Sequence, residues 1–93
     1  MKSAPKWFVP VTANLLDVKT TDYFETIAQV NHSEVRREWC EDVLRNPIKA
    51  EVQLNGRISF WANIPEANGR ALRIITLEDG ETVHNAFFDR NAK

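Results

Sequence analysis

At 93 residues the chain is long enough for one domain with a single modest core, 1–93, and no more. Its 43% hydrophobic and 27% charged content is ordinary for a globular protein, and its net charge of −1 is spread evenly along the chain. No global field therefore draws it to nucleic acid or to an anionic membrane, and binding of either kind needs charges gathered on one face.

Residues 1–13 form an N-terminal extension or an edge strand, because Pro5 and Pro10 bracket the apolar Trp7, Phe8 and Val9 and each removes a ladder donor. Their start has no apolar run of the signal-peptide kind. With the single cysteine, Cys40, which excludes an internal disulfide, this leads to the expectation of a cytoplasmic protein without a membrane span. Residues 14–20 alternate in part and suggest a short first strand. Two helices are expected within 21–46. The first starts at Asp22, with Glu25 at capping-box spacing, and carries Tyr23, Phe24, Ile27, Ala28 and Val30 as its apolar face. Asn31 to Ser33 interrupts it. Ser33 then caps a helix over 34–45, in which Val35, Trp39 and Val43 recur every four residues with Cys40 and Leu44 beside them. Glu41 and Arg45 form an i,i+4 pair, and Asn46-Pro47 ends the helix.

From Ile48 the period changes from 3.6 to 2, and an antiparallel meander is expected over 48–90. Ile48, Ala50, Val52 and Leu54 alternate with charged and polar residues. A bulged or three-residue turn is expected at Asn55-Gly56, and a three-residue loop, 55–57, keeps them in phase with Ile58 and Phe60 by pairing Leu54 with Ile58. A five-residue loop after Ile64 pairs Phe60 with Ile74 and Ala62 with Leu72. A turn at Asp79-Gly80 pairs Leu77 with Thr82 and Ile75 with His84. One face then carries Ile58, Phe60, Ile64, Leu72, Ile74, Val83 and Phe87, which the helices cover. The fold class is α+β, with two N-terminal helices packed on one face of a roughly four-stranded antiparallel sheet.

The opposite face carries Ser59, Trp61, Arg73, Ile75, His84, Ala86, Phe88 and Arg90, with Arg57 at its margin. Trp61 lies opposite Arg73, as a cation–π pair. A histidine that titrates near neutrality, flanked by guanidinium groups, is suited to moving protons while a phosphate is held. His84 and Arg73 are therefore the candidate catalytic residues, and Arg57 and Arg90 the candidate phosphate contacts. Trp61 and Phe88 are candidate platforms for unpaired bases. The same groups on an open face serve equally well as a solvated or dimer-forming surface. Arg70 is positioned to pair with Asp89, His32 falls in a loop, and Cys40 reads as a buried small hydrophobe. No Cys/His cluster, phosphate-cradling glycine loop or nucleophile motif is present, so neither a metal nor a cofactor is expected.

Asn55-Gly-Arg-Ile-Ser-Phe-Trp61, Ile64-Pro-Glu66, Leu72-Arg-Ile-Ile75 and the run from Leu77 to Arg90 resemble a family of small bacterial proteins of unknown function. The segment from Trp39 to Pro47 is similar to that family's helix-ending segment. The resemblance spans about residues 20–90 and implies a fold like that of the RelE and BrnT toxins. Those toxins are ribonucleases neutralised by an antitoxin protein. It follows that RNA and an antitoxin are the expected partners, and a metal-independent endoribonuclease or an inactive relative the expected function. The alternative is a non-enzymatic interaction module, a homodimer or partner-binding protein using Trp7, Phe8, Trp61 and Phe88.

Overall fold

The computed structural model describes residues 18–91. The expectations for 1–13, including Trp7 and Phe8, and for 14–17 lie outside them. Helix α1 comprises a π-helical turn over Phe24–Ala28 continued by an α-helical turn over Gln29–Asn31. Helix α2 follows over Arg37–Arg45. Strands β1 (Lys49–Val52), β2 (Ile58–Ile64), β3 (Arg70–Thr76) and β4 (Val83–Phe88) form one antiparallel sheet in the order β1-β2-β3-β4. The architecture is α+β, and α2 packs on β2 and β3 while α1 packs on β4.

The helix starts differ from expectation. Thr21, not Asp22, caps α1, its Oγ1 accepting the Phe24 N–H at 3.1 Å. Glu25 instead bonds the Thr20 hydroxyl and the Arg37 guanidinium. Only Phe24 and Ala28 of the expected apolar face are buried, while Tyr23, Ile27 and Val30 lie exposed. A helix set along the sheet edge needs only one narrow stripe for its contact. Ser33 caps nothing. A turn closed by the Val35 N–H on the His32 carbonyl drops Val35 into the core, and α2 begins only after the extended Arg36. The stripe Val35, Trp39, Cys40 and Val43 is buried as its spacing requires, and Arg45 meets Glu41 at 3.0 Å.

The expected β2–β3 register holds, with Phe60 opposite Ile74, Ala62 opposite Leu72 and Trp61 opposite Arg73. The first hairpin is offset by two residues from expectation. Val52 faces Ile58, and the three-residue loop is 54–56, closed by Gln53 and Arg57. Gly56 takes φ +88° there, which a side chain would disfavour. An offset of two leaves every side chain on its expected face.

The β3–β4 hairpin departs more. Leu77 bonds Thr82 as expected, and Thr76 faces Val83, but Ile75 then faces Asn85 rather than His84. His84 is the extra residue of a β-bulge. Beyond it, every side chain changes face relative to the simple alternation. Ala86 and Phe88 turn to the core side, and Phe87 turns to the face of Arg73. Residues 19–21 run parallel along the outer edge of β4, the Val83 N–H bonding the Lys19 carbonyl and the Thr21 N–H bonding the Val83 carbonyl.

Leu72, Ile74, Val43 and Val83 are fully buried at the centre of the core. Truncating one of them removes apolar burial and leaves a cavity, at about 2–5 kcal/mol. Leu72→Ala is expected to cost that much of a total of about 5–15 kcal/mol for a domain of this size, read as a lowered urea midpoint. A loss below 1 kcal/mol would mean that β3 is not the centre of the core.

Candidate functional site

The expected site residues divide into three groups, of which the first and third share Phe87 and Asp89. The first surrounds Trp61, which is 5% exposed and so is not an open stacking platform. Its indole Nε1–H donates to Asp89 Oδ2 at 3.0 Å. Its neighbours across the two adjacent strands, Lys49 and Arg73, set their charges 4.6 and 5.0 Å from its ring centroid. Arg73 donates through both Nε and Nη2 to the Oγ of fully buried Ser59, at 3.1 and 2.9 Å, and places Nη1 3.8 Å from Asp89. Phe87 lies 5.6 Å from the same guanidinium. The expected pairing of Arg70 with Asp89 does not form, because Asp89 is taken by Trp61 and Arg73.

The second group surrounds His84. The bulge sets its ring against the start of α1, where Nδ1 lies 3.0 Å from Thr21 Oγ1 and the ring stacks on Tyr23 with centroids 4.7 Å apart. Thr21 Oγ1 is itself fixed by the Phe24 N–H, so the imidazole is held by a hydroxyl that caps a helix. Nε2 has no hydrogen-bond partner among the described residues. Burial, and then the positive charge of Arg57, hold the His84 pKa below the usual 6.5. His84 is therefore a neutral imidazole at pH 7 with one nitrogen anchored and the other available. His84 and Arg73 share no hydrogen bond among the described residues, and the charge that helps to lower the His84 pKa is that of Arg57, not of its expected catalytic partner.

The third group is a cleft of about 490 Å³ at the far end of the sheet, lined by His32, Glu34, Arg70, Phe87, Phe88 and Arg90 among others. Arg70 lies over the Phe88 ring at 4.0 Å and donates from Nε to the Ala67 carbonyl at 3.1 Å. Phe88, expected to be an exposed base platform, packs against the core with its ring edge-on to Trp39 at 6.0 Å. Arg90 is exposed at the rim. His32 was a loop residue in sequence terms, and its ring lies 5.9 Å from Phe87. Only the flipping of Phe87 by the bulge makes that approach, and no local motif signals it. Glu34 and Asp89 set two negative charges in the cleft against its two arginines, so it has no net preference for anions.

Cys40 is buried, and burial pushes its thiol up to about 12, which withholds the thiolate a nucleophile needs. Among the described residues no group of three or more His, Cys, Asp and Glu side chains is placed to hold a metal ion. No helix among them is long and apolar enough to cross a membrane. No protein-family model, curated protein or solved structure matches the chain, so its own geometry carries the functional argument.

Two outcomes test the Trp61 group. Asp89→Ala removes the acceptor of a nearly buried indole N–H, and a loss of about 1–3 kcal/mol is expected together with faster exchange of the Trp61 indole proton by NMR. Unchanged exchange would mean that Asp89 does not hold the ring. The hydrogen bond from Trp61 is the main cause that lowers the Asp89 pKa from 3.8, with the Asn91 N–H, Arg73 and Lys49 adding to it. A carboxylate held below its unfolded value stabilises the fold fully above about pH 4 and loses that contribution as pH falls through its folded value. Asp89→Asn is thus expected to lower stability at pH 7 and to approach wild type near pH 2, in urea titrations at the two pH values.

Proposed function

We propose that this protein is a toxin-like, metal-independent endoribonuclease that acts on RNA in the cytoplasm and is neutralised by an antitoxin partner. The observation that carries the reading is the His84 site: an imidazole anchored at Nδ1, stacked on Tyr23, and kept neutral at pH 7 by burial and by the positive charge of Arg57. The resemblance to the family with a RelE- and BrnT-like fold supports the same class, as does the α+β architecture with a four-stranded antiparallel sheet.

The chemistry needs few parts. His84 Nε2 takes the proton of a ribose 2′-hydroxyl as the oxygen attacks the adjacent phosphorus. Arg57 stabilises the charge that develops on the phosphoryl oxygens. The bond to the 5′ oxygen breaks, water supplies that oxygen's proton, and a 2′,3′-cyclic phosphate remains. Arg73 serves here as scaffold, through Ser59 and Asp89. Thr21 acts as a positioning residue for the imidazole.

Incubation of the full chain with a labelled single-stranded RNA tests the reading. The expected product carries a 2′,3′-cyclic phosphate. His84→Ala is expected to lower the rate by about 10²-fold or more, and Arg57→Ala by about 10²-fold. A base with a lowered pKa gives up its proton at a lower pH than usual, so the rate should rise with pH to a plateau, with the midpoint of the rise below pH 6.5. Absence of cleavage by wild type, or equal cleavage by His84→Ala, would overturn the proposal.

A further inference from the structure

We infer that two copies of this chain pair through β1, edge to edge and antiparallel, to make one continuous eight-stranded sheet. The two edges of the sheet are treated differently. Residues 19–21 and α1 close the β4 side. On the other side every residue of β1 is exposed, and so is the row Ile48, Val52 and Leu54, at 66%, 69% and 110%. The helices stop short of this strand, and no proline interrupts it. The Gln53 N–H bonds the Arg57 carbonyl, which turns the odd-numbered residues of the hairpin inward. The N–H and C=O groups of Ala50 and Val52 consequently point outward along an edge that no other strand among the described residues pairs with.

Charge selects the partner and the register. Lys49 and Glu51 flank Ala50 on the face opposite the apolar row, and neither has an ion-pair partner among the described residues. A two-fold axis through Ala50 sets Lys49 opposite Glu51 of the second copy and Glu51 opposite its Lys49. The same operation lets the two Ala50 backbones exchange both hydrogen bonds. A shift of one residue either way brings Lys49 against Lys49 or Glu51 against Glu51, and such facing like charges destabilise a sheet. An edge guarded only by like charges would repel a copy of itself in every register. This edge, with one charge of each sign around an alanine, is self-complementary as a closed two-fold interface requires. A four-residue strand is short, and the contact falls toward the lower end of specific interfaces, below roughly 1,200 Å². A dimer that forms with rising protein concentration is therefore expected.

Sedimentation equilibrium of the full chain across concentrations from micromolar to millimolar tests the inference, with far-UV circular dichroism as the check on folding. Wild type is expected to pass from monomer to dimer. Lys49→Glu and Glu51→Lys each place two pairs of like charges across the two-fold, and each is expected to weaken the dimer at least about tenfold. The double variant K49E/E51K restores opposite charges and is expected to return the dissociation constant to within about threefold of wild type. A wild-type monomer at all concentrations, single variants that dimerise as wild type does, or a double variant that stays as weak as the singles would each overturn it. RNA cleavage is read separately, so the two proposals fail independently.

Discussion

A β-sheet allows its side chains only two faces, and one extra residue in one strand exchanges them for everything beyond it. That constraint operates at His84. Before the bulge, Val83 faces the core opposite Thr76, and residues 19–21 hold its backbone on the outer side. After it, Ala86 and Phe88 face the core, and Phe87 joins Arg73 on the other face. The residue left over is turned toward the start of α1, where a capping threonine and Tyr23 receive it. The bulge thus joins three things at one point: the packing of the C-terminal half of β4, the docking of the first helix and the orientation of the imidazole.

The sheet face away from the helices is held by polar groups as well as apolar ones. Arg73 draws β2 and β3 together through Ser59, and Asp89, just after β4, closes the group by accepting from Trp61. Burying a serine hydroxyl and an indole N–H is tolerable only because each has a partner. An arginine so fully engaged has little capacity left for a ligand. His84 is in the opposite condition, fixed at Nδ1 while Nε2 has no hydrogen-bond partner among the described residues. The engaged arginine and the imidazole thereby lie in different groups of what alternation alone would make one cluster.

The layering explains the asymmetry of the two edges. Two short helices can cover β4, β3 and part of β2, and they leave β1 bare. The exposed row along that strand is apolar and its other face carries one charge of each sign. Burying such an edge against its own copy would satisfy both the free backbone groups and the charges at once.

The sequence by itself determined the period of each segment, and with it the order of elements, the stripe Val35, Trp39 and Val43, the β2–β3 register and the pairing of Trp61 with Arg73. These follow from local spacing, since loop length and alternation together leave one register in phase. Tertiary structure decided the rest. Alternation carried past His84 puts Phe87 in the core and Phe88, Arg73 and His84 on one face, because a bulge has no residue signature there. It forms where Val83 must bond residues 19–21 on one side and β3 on the other. The choice of Thr21 over Asp22 as cap, and of Asp89's partner as Trp61 instead of Arg70, depended likewise on groups brought from distant parts of the chain. Local spacing states which face a side chain leans toward, and only the packed structure decides which partner it meets there.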